Sequence, residues 1–152
     1  MVFSADGKYA YVVCELQYHV LTYEYNGAAG LKLTDDLKVI ENLPADKNWG
    51  GAVRLSADGT RLFVTNRPEG LSSIDILSLE DPARPRLIGT VDACEHPRDF
   101  LLTTDGAGRD ILIALSMTGN VVRFFEYSPD TLEFTLLSEI EGIVKPVCIV
   151  EK

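Results

Sequence analysis

A glutamate and an arginine occupy matching positions in two similar stretches of this 152-residue chain. Glu15 and Arg67 each stand eight residues after the glycine of an Asp-Gly pair, at Gly7 and Gly59. A carboxylate can take a proton from water, and a guanidinium can bind an anion or a developing oxyanion. The spacing predicts equivalent places in adjacent structural units. The alternatives are a solvated glutamate and a surface ion pair of Arg67 with Glu69.

A repeat underlies this equivalence. Asp-Gly pairs stand at 6–7, 58–59 and 105–106, and each lies between two short apolar runs. Asp-Gly supplies the positive φ of a tight hairpin, so each unit begins strand, turn, strand. Two further short runs complete each unit, starting in the first unit at His19 and Leu37.

Four short strands per unit, at a period of about fifty residues, are typical of propeller blades. We therefore predict an all-β fold: a single partial β-propeller domain over 1–152, with about three four-stranded antiparallel blades plus a closing inner strand. The predicted blades cover roughly 1–45, 46–93 and 94–142, and the closing strand covers 145–150. Similar hairpins in a β-sandwich are the alternative.

One segment conflicts with this scheme. Apolar residues in 131–143 recur at helical spacing, at Leu132, Leu136, Ile140 and Ile143. Because the segment occupies the fourth-strand position of the third unit, we predict a strand there.

Four stretches, in this order, also resemble a known family: "YVVCEL" at 11–16, "NWGGAVRLSADGTRLFVTNR" at 48–67, "HPRDF" at 96–100 and "KPVCIV" at 145–150. Together they are similar to the three C-terminal blades of the seven-bladed propeller lactonases. That family includes propeller-type 6-phosphogluconolactonase and the fungal 3-carboxy-cis,cis-muconate lactonizing enzyme.

The resemblance implies a site on one face of the ring, at the central channel. It implies an acid/base role for Glu15 and anion binding by Arg67. Asn66 and Arg98 stand at matching family positions, and Arg54 stands where the family has histidine; we expect these three to contact substrate. Pairing of Arg98 with Asp99 or Glu95 is the competing expectation.

The resemblance implies hydrolysis of a sugar lactone such as 6-phosphogluconolactone, in a parent fold of which this chain is a fragment. The family's upstream Pro-Arg-His has no counterpart before Met1. We therefore expect an incomplete site and an inactive isolated chain. A muconate-type cycloisomerase, a non-catalytic fragment and a protein-binding scaffold remain alternatives.

Composition limits the partners. A net charge of −9 disfavours nucleic acid, and no apolar run is long enough to span a membrane. Two separated histidines and three scattered cysteines predict no metal site, and no cofactor motif is present. We expect a cytoplasmic protein with a small anionic lactone or carboxylate as substrate. Self-association through open blade edges is possible on this scheme.

Overall fold

The fold was analysed in a computed structural model that describes residues 1–40, 42 and 49–151. Within these residues twelve strands form three four-stranded sheets, and each sheet is antiparallel with its strands in chain order. This is the arrangement of propeller blades, so the prediction of an all-β partial propeller is confirmed. The predicted boundary between the first two blades, at 45/46, lies outside the described residues.

The strands are grouped by sheet. The first sheet contains β1 (Val2–Phe3), β2 (Tyr9–Val13), β3 (His19–Tyr25) and β4 (Leu31–Lys38). The second contains β5 (Gly50–Leu55), β6 (Arg61–Asn66), β7 (Ser73–Ser78) and β8 (Arg86–Val91). The third contains β9 (Pro97–Thr104), β10 (Asp110–Ser116), β11 (Val121–Ser128) and β12 (Glu133–Glu141).

The Asp-Gly turns join the first two strands of each of the first two sheets. Gly7 and Gly59 have φ of 72° and 70°, a region that glycine enters without steric cost. In the third sheet the prediction placed the turn glycine two residues too early: Gly108, with φ of 80°, has the left-handed conformation, and Gly106 does not. Asp105 is the reason, because its carboxylate caps the turn by accepting the N–H groups of Ala107 and Arg109.

The outer strands confirm one prediction and correct another. Residues 133–141 form β12, so position in the repeat predicted this segment correctly and helical spacing did not. The fourth strand of the first sheet, predicted from Leu37, is instead β4 at Leu31–Lys38. A short 3-10 turn at Gly27–Ala29, followed by Gly30 with φ of 82°, ends the connection early and starts the strand sooner.

Residues 145–150 do not form the predicted closing strand. In the described part of the chain, the second strands β2, β6 and β10 already have the inner partners β1, β5 and β9. No second strand is therefore left to pair with 145–150. The segment instead lies against β9, where the Ile149 N–H donates to Asp99 at 3.1 Å.

Two apolar cores hold the three sheets together, and the middle sheet contributes to both. On β6 the side chains of Leu62 and Val64 pack toward the first sheet, whereas Phe63 packs toward the third. Successive residues of a strand point to opposite faces, so a strand between two sheets must be apolar on both. This explains the unbroken apolar run "LFV" in β6. No described helix is long and apolar enough to cross a bilayer.

One carboxylate is buried between the first two sheets. Asp75 on β7 is fully buried and accepts hydrogen bonds from the hydroxyls of Tyr18 and Ser73. Burial raises the pKa of Asp75, and the hydrogen bonds from Tyr18 and its neighbours offset only part of that rise. The native state therefore binds this proton more tightly than the unfolded chain does.

We expect this proton to give the stability of the chain a measurable pH dependence. Since the folded pKa of Asp75 is raised, its contribution to stability is present at low pH and lost as pH rises through the folded pKa. The loss reaches at most about 1.4 kcal/mol per pH unit. Urea denaturation between about pH 4 and pH 8 should show it in the wild type and not in Asp75→Asn. Parallel curves for the two proteins would contradict the assignment, and Asp92→Asn, which changes an exposed aspartate, is the control.

Candidate functional site

The loops that follow β2 and β6 meet at the start of β5. The Gly50 N–H donates to the Glu15 carbonyl at 2.8 Å, and the Arg67 N–H donates to the Trp49 carbonyl at 2.9 Å. These backbone bonds join the first sheet to the second at one end of their strands. They also fix where the side chains of Glu15 and Arg67 begin.

Glu15 and Arg67 form an ion pair across the two sheets. Arg67 Nη2 donates to Glu15 Oε1 at 2.8 Å. The Arg67 side chain is only 7% exposed, and it also donates to the Gly50 carbonyl from Nε at 3.0 Å and from Nη2 at 2.7 Å. The Gly50 carbonyl thus holds the Arg67 guanidinium in place. Arg67 forms its ion pair with Glu15 and not with Glu69, the alternative partner that the sequence offered.

The pair has room only because the residues beneath it are glycines. A Cβ on Gly50 would lie 2.6 Å from the Cys14 carbonyl oxygen and 2.7 Å from Val13 Cγ2. A Cβ on Gly51 would overlap Thr65 Oγ1 and lie 3.0 Å from Arg67 Cδ. The "GG" of the sequence therefore lets β5 approach both the first sheet and the Arg67 side chain.

The electrostatics keep Glu15 ionised. Its hydrogen bond to Arg67 and the charge of Arg67 lower the pKa of Glu15, and the charge of Arg98 adds to this effect. The Glu15 side chain is 64% exposed, so burial opposes the shift only weakly. The sequence left open whether burial or Arg67 would dominate, and the structure favours Arg67.

Arg98 approaches the same carboxylate oxygen of Glu15. Its Nη1 is 3.9 Å from Glu15 Oε1, and its side chain is 39% exposed. The predicted alternatives, ion pairs with Asp99 or Glu95, are not formed. Two guanidinium groups from the second and third sheets thus converge on one glutamate of the first sheet.

His96 belongs to this cluster, and the sequence analysis did not select it. Its Nε2 lies 3.4 Å from Arg67 Nη1, and its backbone N–H donates to Ser72 Oγ at 2.9 Å. Burial lowers the pKa of His96, and the charges of Arg67 and Arg98 lower it further, so the ring is neutral at pH 7. The one feature of the sequence that could have pointed to His96 is its position directly before Pro97, where the innermost strand of the third sheet begins.

The family model described as lactonase, 7-bladed beta-propeller, matches residues 1–151. The chain belongs to the seven-bladed propeller lactonase family.

Relatives of this lactonase-family chain agree on the fold. A Staphylococcus aureus (strain N315) protein of uncharacterised function is 34% identical over 151 residues, which are 97% of this chain and 42% of that protein. A candidate 6-phosphogluconolactonase of Bacteroides fragilis superposes with a TM-score of 0.81 at 25% identity, over 97% of this chain and 39% of its own. The periplasmic gluconolactonase of Pseudomonas aeruginosa superposes with a TM-score of 0.83 at 24% identity, over 97% and 40%. This lactonase-family chain therefore spans less than half the length of these relatives.

Arg54 is the family departure that the structure explains most directly. Its Nη2 donates to Asp99 Oδ1 at 2.8 Å and its Nε donates to the Phe100 carbonyl at 3.2 Å. Arg54, which stands where the resemblance implies a histidine, thus forms a charge pair with Asp99. A shallow cavity of about 290 Å³ lies beside them and is also lined by Arg98. Arg54 is thus held to β9, and its described bonds do not include Glu15.

The structure does not bring Asn66 to the surface of the Glu15–Arg67 cluster. Asn66 is fully buried, and its side-chain amide accepts the Trp49 N–H at 3.3 Å and donates to the Leu71 carbonyl at 3.4 Å. Asn66 therefore fixes the two loops that flank Arg67. Trp49 itself is 42% exposed beside the site.

No group of three metal-ligating side chains occurs within residues 1–40, 42 and 49–151. The charged groups of this cluster are Glu15, Arg67 and Arg98, and the neutral imidazole of His96 contacts Arg67. A carboxylate, a neutral imidazole and two guanidinium groups can together accept a proton and bind an anion.

Proposed function

We propose that this cluster hydrolyses a sugar lactone that carries an anionic group, such as 6-phosphogluconolactone, within a complete propeller. The observation that supports this most is the convergence of Arg67 and Arg98 on one exposed carboxylate. Family membership and the likeness to a candidate 6-phosphogluconolactonase support the same substrate class.

The residues have distinct roles in this proposal. Glu15, or the neutral His96 beside it, accepts a proton from water as the water oxygen attacks the lactone carbonyl carbon. The carbonyl oxygen gains negative charge, which the buried Arg67 guanidinium stabilises. The ring C–O bond then breaks, and the ring oxygen leaves as a hydroxyl after it takes the proton that Glu15 or His96 accepted from water. Arg98, the more exposed arginine, binds the phosphate or carboxylate of the substrate.

The activity is tested in the 152-residue chain and in a complete propeller. The complete form replaces the matching segment of the Staphylococcus aureus relative with this chain. Hydrolysis of 6-phosphoglucono-δ-lactone is measured against the spontaneous rate in buffer, and conversion of a carboxymuconate is measured in parallel. A folded complete propeller with no rate above buffer would overturn the proposal, and turnover of the muconate alone would favour a cycloisomerase.

Arg98→Gln is expected to raise KM for the phosphorylated lactone about tenfold, because one charge-assisted contact to the phosphate contributes about 1.4 kcal/mol or more. KM for the neutral glucono-δ-lactone is expected to change by less than about twofold, since that substrate offers no anion to bind. Steady-state kinetics with the two lactones check this difference. An equal rise in both KM values would contradict a role for Arg98 in anion binding.

A further inference from the structure

A second cavity lies between the second and third sheets, at the opposite end of β6 from Arg67. Its volume is about 470 Å³, within the range of small-molecule sites, and Arg61 at the start of β6 is among its lining residues. Because β6 runs from Arg61 to Asn66, the cavity lies roughly 20 Å from the Glu15 site. We call it the inter-sheet cavity, and we propose that it binds a small organic cation, an ammonium group attached to an apolar body.

The inner part of the inter-sheet cavity is apolar and aromatic. Phe63 is fully buried and contacts Tyr127 edge to face, with ring centroids 5.4 Å apart. Leu102 packs against the same core cluster. This part suits a hydrocarbon or aryl group.

A buried polar group in this cavity lacks a partner. Tyr127 is 5% exposed, and its hydroxyl has no hydrogen-bond partner among the described residues. An unmade hydrogen bond of this kind carries a free-energy cost in the folded chain. A ligand with a polar head beside Tyr127 would remove that cost.

The charge of the lining decides which polar head fits. Asp58, Asp110 and Glu151 contribute three carboxylates, and Arg61 contributes the single guanidinium. Arg61 is already engaged, since its Nη2 donates to the Pro129 carbonyl at 2.9 Å and its Nη1 lies 3.9 Å from Asp58. The lining is therefore net negative, opposite in sign to the paired arginines near Glu15.

An ammonium group meets these requirements together. It donates three hydrogen bonds, which the carboxylates and the oxygen of Tyr127 can accept. An anion would face the repulsion of three carboxylates, so the anionic lactone is excluded as the occupant of this cavity. The proposal does not depend on lactone hydrolysis by the other site.

The test uses three probes of nearly equal size. Binding of 2-phenylethylamine, 2-phenylethanol and 3-phenylpropionate to the 152-residue chain is measured by isothermal titration calorimetry at pH 7 and low salt. We expect the amine to bind at least tenfold more tightly than the alcohol or the anion. Equal affinities, tighter binding of the anion, or no saturable binding of the amine would each overturn the proposal.

Variants locate the binding. Tyr127→Phe keeps the ring and removes only the hydroxyl, and it should weaken binding of the amine about fivefold to tenfold. Asp110→Asn should weaken it similarly, whereas Asp92→Asn makes the same charge change outside the cavity and should leave it unchanged. If either cavity variant binds the amine as the wild type does, with an unchanged circular dichroism spectrum, the proposal is wrong.

Discussion

Replacing Glu15 by glutamine is expected to lower kcat/KM for lactone hydrolysis about 100-fold in the complete propeller, because the amide cannot accept a proton from water. General acid–base groups contribute about 10²- to 10⁴-fold. The lower end applies because Arg67 and Arg98 lower the pKa of Glu15 and so weaken it as a base. Because its pKa is lowered, Glu15 stays ionised at pH values where an ordinary glutamate begins to take up a proton. We expect kcat/KM to stay constant over that pH range.

The comparison for this prediction is Glu80→Gln, which makes the same chemical change at an exposed residue after β7. We expect wild-type kinetics from it. Circular dichroism separates loss of chemistry from loss of fold in both variants. If Glu15→Gln retains more than about a tenth of the wild-type kcat/KM, another group is the base, and the neutral His96 becomes the first candidate.

The pairing of Glu15 with Arg67 could be predicted because it follows from the repeat itself. Two residues at the same offset from equivalent turns must end equivalent strands, and adjacent blades bring those ends together. Arg98 could be placed near them for a different reason, because it lies at the start of the innermost strand of the next sheet.

His96 could not be found in this way because it lies before a strand, where backbone turns determine the direction of the side chain. Its φ of 48° is unusual for a residue other than glycine, and no pattern of residue types predicts it. Arg54 and Asn66 show a second limit of sequence-based prediction, since the sequence does not show which neighbours will bind a polar side chain. The resemblance implied that both contact substrate, but neighbouring groups engage them: Asp99 binds Arg54, and two backbone groups bind the Asn66 amide.

Composition and spacing predicted the strands whose side chains are buried. They failed where backbone conformation or the lack of a partner strand determines where a strand forms. The inner apolar strands were recognised from their residues, as β6 illustrates. The start of β4 was missed because a 3-10 turn and Gly30 set it. Residues 145–150 have strand-like composition but no partner strand, and composition cannot show that.

Gly50→Ala is expected to destabilise the chain by about 3 kcal/mol, the largest stability effect that we predict. The new methyl carbon would lie 2.6 Å from the Cys14 carbonyl oxygen, a backbone atom that cannot rotate away. The first and second sheets would have to move apart, which weakens the Gly50 bond to Glu15 and lengthens the contact between Arg67 and Glu15. Gly106→Ala is the matched control, since its methyl group meets nothing within 4 Å and its φ is not positive. Urea denaturation should show the loss of stability only for Gly50→Ala. Equal stability of the two variants would contradict the prediction. It would mean that the two sheets can separate at Gly50 without cost and that Gly50 does not fix the Glu15–Arg67 pair.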